Sequence, residues 1–263
     1  MVQKKLLVGL IGLSLLLVVT GCAGIVQGSG GVVTETYDVS GFSRLDVSNA
    51  VEVDLSQEGK ESVSVETDAN LLRYLEVEVR GDTLHVGLND SARGVVINPS
   101  MGIHFTIGVD DLEGLEVSGA SNVDAGPLES GDFELSVAGA SAVAIESREV
   151  DSARVEASGS SDVSIGDLRA GKLDAVASGA SSVEVSGEAA AQVADVEGAS
   201  NYRAGDLQSA DVHAEVSGAS DARLRASETL QVDASGASHV RYYGSPQVSQ
   251  QLSGASDLDR LGQ

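Results

Sequence analysis

The chain has 263 residues, enough for one large domain or two small ones, with 31 Gly, 3% aromatics and no Trp. Apolar burial must then come from Val, Leu, Ala and Ile, which suits thin layered β architectures better than a core built around large rings. The formal charge is −24, and setting Lys4 and Lys5 aside leaves 14 cations against 40 acids, −26, a surface that repels nucleic acid and anionic head groups.

Lys4 and Lys5 precede an apolar run of 15 residues, Leu6 to Thr20. That is shorter than the ~20 residues a bilayer crossing needs and has the length and flanks of a secretory h-region. Val19-Thr20-Gly21-Cys22 closes it. This resembles the bacterial lipobox, in which the signal (here 1–21) is removed and the Cys thiol receives a diacylglycerol. Cys22 is the single cysteine, so no intrachain disulfide can form, and lipidation accounts for an otherwise unpaired thiol. Ala23, where Asp would favour inner-membrane retention, leans toward the outer membrane if the cell is Gram-negative. Residues 22–31, rich in Gly, read as the acylated Cys and a flexible tether. The membrane, through this anchor, is the first expected partner.

Residues 32–111 are strand-rich without a fixed period. Val47 to Val53 alternates and looks like a degenerate copy of the later repeat, Gly81-Asp82 predicts a hairpin turn, and 70–74 a short turn or helix. This part is expected to cap the repeat that follows, since an open edge invites aggregation.

From 112 to 263 a tetrapeptide of the type Ser-Gly-Ala-Ser recurs eight times. Its glycines are Gly119, Gly139, Gly159, Gly179, Gly198, Gly218, Gly236 and Gly254, spaced by 18 to 20 residues. Two residues before each Gly, and four after it, stands an apolar or aromatic residue; polar residues mostly separate them, the period of a strand. A repeat of this length is too short for a propeller blade and lacks the leucine-rich pattern, so it fits one coil of a β-helix. The expected fold is all-β: a right-handed parallel β-helix with coils of about 18–20 residues and an irregular β-rich N-terminal cap. Gly allows the sharp corner. Stacking would set Ser121, Ser141, Ser161, Ser181, Ser200, Ser220, Ser238 and Ser256 in a row whose hydroxyls bond a neighbour or a turn amide. No base lies at a fixed offset from these serines, so a structural role is expected. An Asn/Asp row after them is a turn device; calcium is the sharper reading, but the Gly-Gly-x-Gly-x-Asp nonapeptide is absent.

Phe42-Ser43-Arg44-Leu45-Asp46-Val47, Val63 to Leu71, Gly81 to Val86 and the repeated Ser-Gly-Ala-Ser strands together resemble the "putative auto-transporter adhesin head GIN domain" family over about residues 32–260. The resemblance implies an exported or lipid-anchored β-solenoid and supplies no catalytic residues.

No catalytic set, cofactor or metal site is expected. His85, His104, His213 and His239 lack metal-ligand spacing, although His85 and His104 could share a face. Arg203, Arg223 and Arg241 fall at one repeat offset, five residues after the Gly, with Tyr202, Tyr242 and Tyr243 nearby. The arginines either neutralise neighbouring acids or contact an anionic ligand such as an acidic glycan, and the rings could stack on sugars. The expected function is non-enzymatic: binding, adhesion or envelope structure through a solenoid surface, with a glycan or an envelope protein as partner and nucleic acid excluded. A carbohydrate-active β-helix enzyme would need a cleft collecting acids and Arg from adjacent coils. An accessory role in envelope-stress signalling is the third possibility.

Overall fold

The computed structural model describes residues 24–262; the expected signal and Cys22 lie outside the described residues. The described chain is nearly all β, 66% strand and 3% helix, and forms a parallel β-solenoid.

One coil shows how the repeat works. A strand such as Asp132–Val137 lays down a first face, the tetrapeptide turns a corner, and Ala142–Ile145 lays down a second face. A third follows from residue 148, and the chain regains the first face one rung higher within Arg148–Ala157. In later coils only the glycine corner interrupts the strand: Asp162–Ala177 runs unbroken over all three faces. Every rung pairs in parallel with the next, and identical repeat positions meet. Val137, Ala157, Ala177 and Val196 form one inward column, and Val143, Val163, Val183 and Tyr202 another. Both columns are buried. Period-two alternation therefore becomes a stripe of apolar side chains along the axis. Coils of 18 or 19 residues keep their register on the first two faces, and the shifts fall at the third, between Ile165 and Leu168, between Glu184 and Ser186 and between Arg203 and Asp211.

The corner glycines have φ between +75° and +83°, a region that costs an L-residue roughly 1–2 kcal/mol. A Cβ at any of them from Gly139 to Gly254 would lie 2.4–2.7 Å from the carbonyl oxygen of the glycine one coil below. The same carbonyl accepts a hydrogen bond from the residue after the next glycine, as in Ala180 N to Gly159 O at 2.8 Å. The serine hydroxyls line the inside of this corner. Ser161 and Ser181 each donate within a shared pair of carbonyls, one three residues back and one in the coil below, at 2.6–3.2 Å. Ser121 donates to Ser118 O at 3.1 Å and also accepts from the amide of Val51, and Ser220 accepts from the amide of Ser200. All eight are buried except Ser256, which is half-buried at the last rung.

Residues 32–111 do not fold in chain order. Arg44–Val47 and Glu52–Gln57 stack in register under 114–117 and 122–125, so the degenerate copy is a true coil. Its corner uses Asn49 and Ala50 at positive φ in place of Gly. The solenoid thus begins near residue 42, ahead of the expected boundary at 112. A coil later in sequence, Thr83–Leu88 and His104–Val109, stacks beneath it. Antiparallel strands then close that end: Leu75–Arg80 on the hairpin at Gly81, Ser62–Asp68 on His104–Val109, and Val32–Tyr37 outermost. A short 3-10 turn, Leu72–Tyr74, connects two of them. At the other end Gln247–Leu252 and Asp257–Gly262 pair on one side only among the described residues, leaving Val248, Leu252 and Leu261 partly exposed.

The tether expected at 23–31 is instead part of the cap. Gly24–Gln27 pairs in parallel with Val95–Asn98. The link that follows is held by the buried Asp68, which accepts from the amides of Gly30 and Ser100 at 2.6 and 2.7 Å and from the Ser100 hydroxyl at 2.9 Å. An acceptor carboxylate of this kind supplies the partner that the amides of a Gly-rich stretch lack on their own.

One charged side chain stands in the apolar core. Arg148 occupies the third-face column between Leu128 and Leu168 and is fully buried. Its guanidinium lies 3.8 Å from the Phe133 ring centroid and donates through Nη2 to Leu112 O and Ser130 Oγ. Nε and Nη1 have no hydrogen-bond partner among the described residues. Burial pushes its pKa down to about 10, opposed by the field of Asp111.

Gly179→Ala is expected to destabilise the solenoid by about 2–4 kcal/mol, from positive φ plus backbone collision. Gly126→Ala, at ordinary φ with its nearest atom 4.0 Å away, is the near-neutral control, and denaturant midpoints of the two variants decide the matter. The hydrogen bonds from Ser100 and Gly30 hold the Asp68 carboxyl below its ordinary 3.8. Its tie is therefore complete above that value and is lost as pH falls through the lower folded pKa. The amide shifts of Gly30 and Ser100, followed by NMR, should titrate with a midpoint below 3.8; a midpoint at or above it would refute the tie.

Candidate functional site

The outward positions of the second face form straight rows along the axis. One row runs Asp124, Ala144, Ser164, Glu184, Arg203, Arg223, Arg241, Asp259. Arg203, Arg223 and Arg241 are thus direct neighbours on three successive rungs, about 4.8 Å apart along the backbone stack. Like charges so placed oppose one another unless compensated. The two outer members have partners: Arg203 Nη1 reaches Ser182 Oγ at 2.9 Å and Glu184 at 4.0 Å, and Arg241 Nη2 reaches Asp221 at 3.5 Å. Arg223 makes no ion pair within 4.0 Å among the described residues, and its side chain is exposed. On a chain of charge −24, this row concentrates positive charge on one flat face.

The tyrosines do not join it as expected. Tyr202 precedes Arg203 by one residue and therefore points the other way, into the core, where it is fully buried. Its hydroxyl meets Gln192 Nε2, Gln192 Oε1 accepts from Ser209 Oγ at 3.2 Å, and burial pushes the phenol pKa up. Tyr242 likewise turns to the inner side, in register with buried Leu224, and packs against the core. Tyr243 is the ring that faces out. It stacks over Gly205, with the Arg225 guanidinium carbon 4.9 Å from its centroid.

A second feature is invisible in the repeat pattern. A groove of about 1200 Å³ follows the third face from Glu129 to Ser245. Its floor is made of small side chains, Ala170, Ala189, Ser209 and Ala226, which follow Val150 in one register column. Glu129, Glu149, Asp151, Arg169, Glu188 and Arg225 line it from adjacent coils. The small side chains of this column leave the trough open.

The histidines are dispersed. His85 Nδ1 stands 2.9 Å from Asp46 on the first face and His104 Nδ1 2.8 Å from Glu52 on the second, so the two do not share a face. His239 Nδ1 lies 2.7 Å from Asp257. No cluster of three or more His, Cys, Asp or Glu able to hold a metal occurs among the described residues.

The family model described as "Putative auto-transporter adhesin, head GIN domain" matches residues 41–246. The chain belongs to this family. Three solved structures share the fold. One, described as a putative adhesin from Parabacteroides distasonis, is 20% identical, with a TM-score of 0.84 over 90% of this chain and 100% of its own. Another from the same organism, described as a putative lipid binding protein, is 20% identical with a TM-score of 0.86, covering 90% and 99%. A putative adhesin from Parabacteroides merdae is 19% identical with a TM-score of 0.85, covering 91% and 100%. No curated protein matches the chain. An adhesin-type family of this kind points to an exported cell-surface protein.

Tyr202→Phe is expected to cost about 1–2 kcal/mol, because it strands buried Gln192. It should leave any surface binding unchanged, which a denaturation curve and a binding isotherm on one preparation would show.

Proposed function

We propose that the protein is exported, held to the cell envelope by lipid on Cys22, and acts by non-enzymatic binding through its solenoid surface, with an acidic glycan meeting Arg203, Arg223 and Arg241. The row of three in-register arginines, its centre unpaired among the described residues, carries this reading. Three guanidinium groups repeating along an axis suit an extended polymer whose charges also repeat. Each exposed contact contributes little alone, and the row acts through summation. The surrounding acids then favour charge-dense ligands that can compete for the arginines, which makes binding salt-sensitive. Lipidation is supported by the lipobox-like Val19-Thr20-Gly21-Cys22 after an apolar run.

The groove favours a second reading, a carbohydrate-active enzyme, because it gathers carboxylates and Arg169 from adjacent coils. These side chains come from successive rungs of a repeating ladder, and the family supports a binding role.

The mature chain with Cys22→Ser should be captured saturably by a purified acidic envelope or extracellular polysaccharide. The triple variant Arg203→Ser, Arg223→Ser, Arg241→Ser should lose roughly 1–3 kcal/mol of that affinity, from about fivefold to about a hundredfold, with added salt acting in the same direction. Equal capture of both forms, or of neither, would remove the arginine row from the function. Appearance of new reducing ends or unsaturated products in the same mixtures would favour the enzyme.

A further inference from the structure

The three most exposed large hydrophobic side chains among the described residues are Ile25, Met101 and Val96, at 69%, 63% and 51%. All three lie in the cap. Ile25 and Val96 are register partners in the parallel pair Gly24–Gln27 and Val95–Asn98, so they stand side by side on one face of that ribbon. Val26 and Ile97 turn to the opposite side and are half-buried, Ile97 against the core. Met101 follows on the loop that leaves the second strand. A two-stranded ribbon that buries one face and offers Ile and Val on the other has an unpartnered apolar surface.

The place of Cys22 says what covers it. Only Ala23 separates Cys22 from Gly24, so the start of the ribbon lies within about 7 Å of the Cys22 Cα whatever the backbone does between them. That is about the depth of one head-group layer, roughly 5–8 Å. The ribbon cannot swing out to lengthen the link. Beyond its ladder, Gly28 N donates to Asn98 O, Asn70 Nδ2 to Gln27 O and Ser29 N to Asn70 Oδ1, each at 2.9 Å. Acyl chains on Cys22 would therefore bring Ile25 and Val96 to the depth of the head groups, while the strongly acidic remainder of the chain favours water.

We propose that the cap end of the solenoid docks on the lipid bilayer through the Ile25–Val96 face beside acylated Cys22, so that the body is oriented rather than tethered. This rests on the lipid-anchor reading. Docking at the cap leaves the far rungs, with Arg223 and Arg241, directed away from the membrane and open to ligand.

The absence of Trp allows a direct test. The full chain, processed with its own signal, would carry Ile25→Trp, Val96→Trp or, at the opposite end, Val248→Trp, each an exposed site. After reconstitution in phosphatidylcholine vesicles, the first two should emit to the blue of the third and be quenched by brominated acyl chains, with unchanged β circular dichroism. Mass spectrometry of the N-terminal peptide reports acylation in the same sample. An acylated Cys22 with all three tryptophans equally unquenched overturns docking while the anchor stands. A Cys22 without acyl mass overturns the anchor, and the docking with it.

Discussion

The stack exists because a glycine sits at the same corner of coil after coil. Along this column the backbone of one rung approaches the next so closely that a Cβ would fall 2.4–2.7 Å from a carbonyl oxygen. That carbonyl is also an acceptor for the rung above. Close approach, left-handed φ and the continuing ladder are thus one requirement met by one residue type. The buried serine beside it satisfies the carbonyls that the sharp turn removes from the ladder, which is why a hydroxyl recurs in an otherwise apolar interior.

With corners set by backbone geometry, the interior needs only small and medium aliphatic residues in register, and 3% aromatics suffice. Two polar insertions depart from this. Tyr202, Gln192 and Ser209 form a self-satisfied group, while Arg148 lies beside Phe133 with two nitrogens unpartnered among the described residues. The first suits a core; the second is a cost that the neighbouring Leu128 and Leu168 rungs do not share. The outer surface carries none of these constraints. Rows of Asp, Ser, Ala, Glu and Arg can therefore follow one another on the second face without disturbing the fold, and that freedom allows an arginine row on an acidic protein.

Much of the candidate site was legible from offsets alone. Arg203, Arg223 and Arg241 share a repeat position, and a parallel ladder turns equal offset into adjacency. The tyrosines part from the arginines because nearness in sequence is not nearness on a face. Tyr202 holds the same position as the inward valines, and the period of two already sent it into the core. Arg148 could have been found in the same way, as a charged residue in a leucine column. The groove's signal was weaker, because the offset of its small floor residues Ala170, Ala189, Ser209 and Ala226 from the preceding glycine drifts where the third face absorbs shortened coils.

By itself the sequence determined the strand period, the coil length, the glycine corner and the export-like N-terminus, because each is a local property or a strict repetition. Only the tertiary structure decided the order of the cap, where residues 83–109 stack beneath 42–57. It also decided that Gly24–Gln27 is a paired strand rather than a tether. Both depend on pairings between segments 39 to 71 residues apart without a shared period. Such pairings are chosen by edge geometry and by single side chains such as Asp68, and nothing local in the chain announces them.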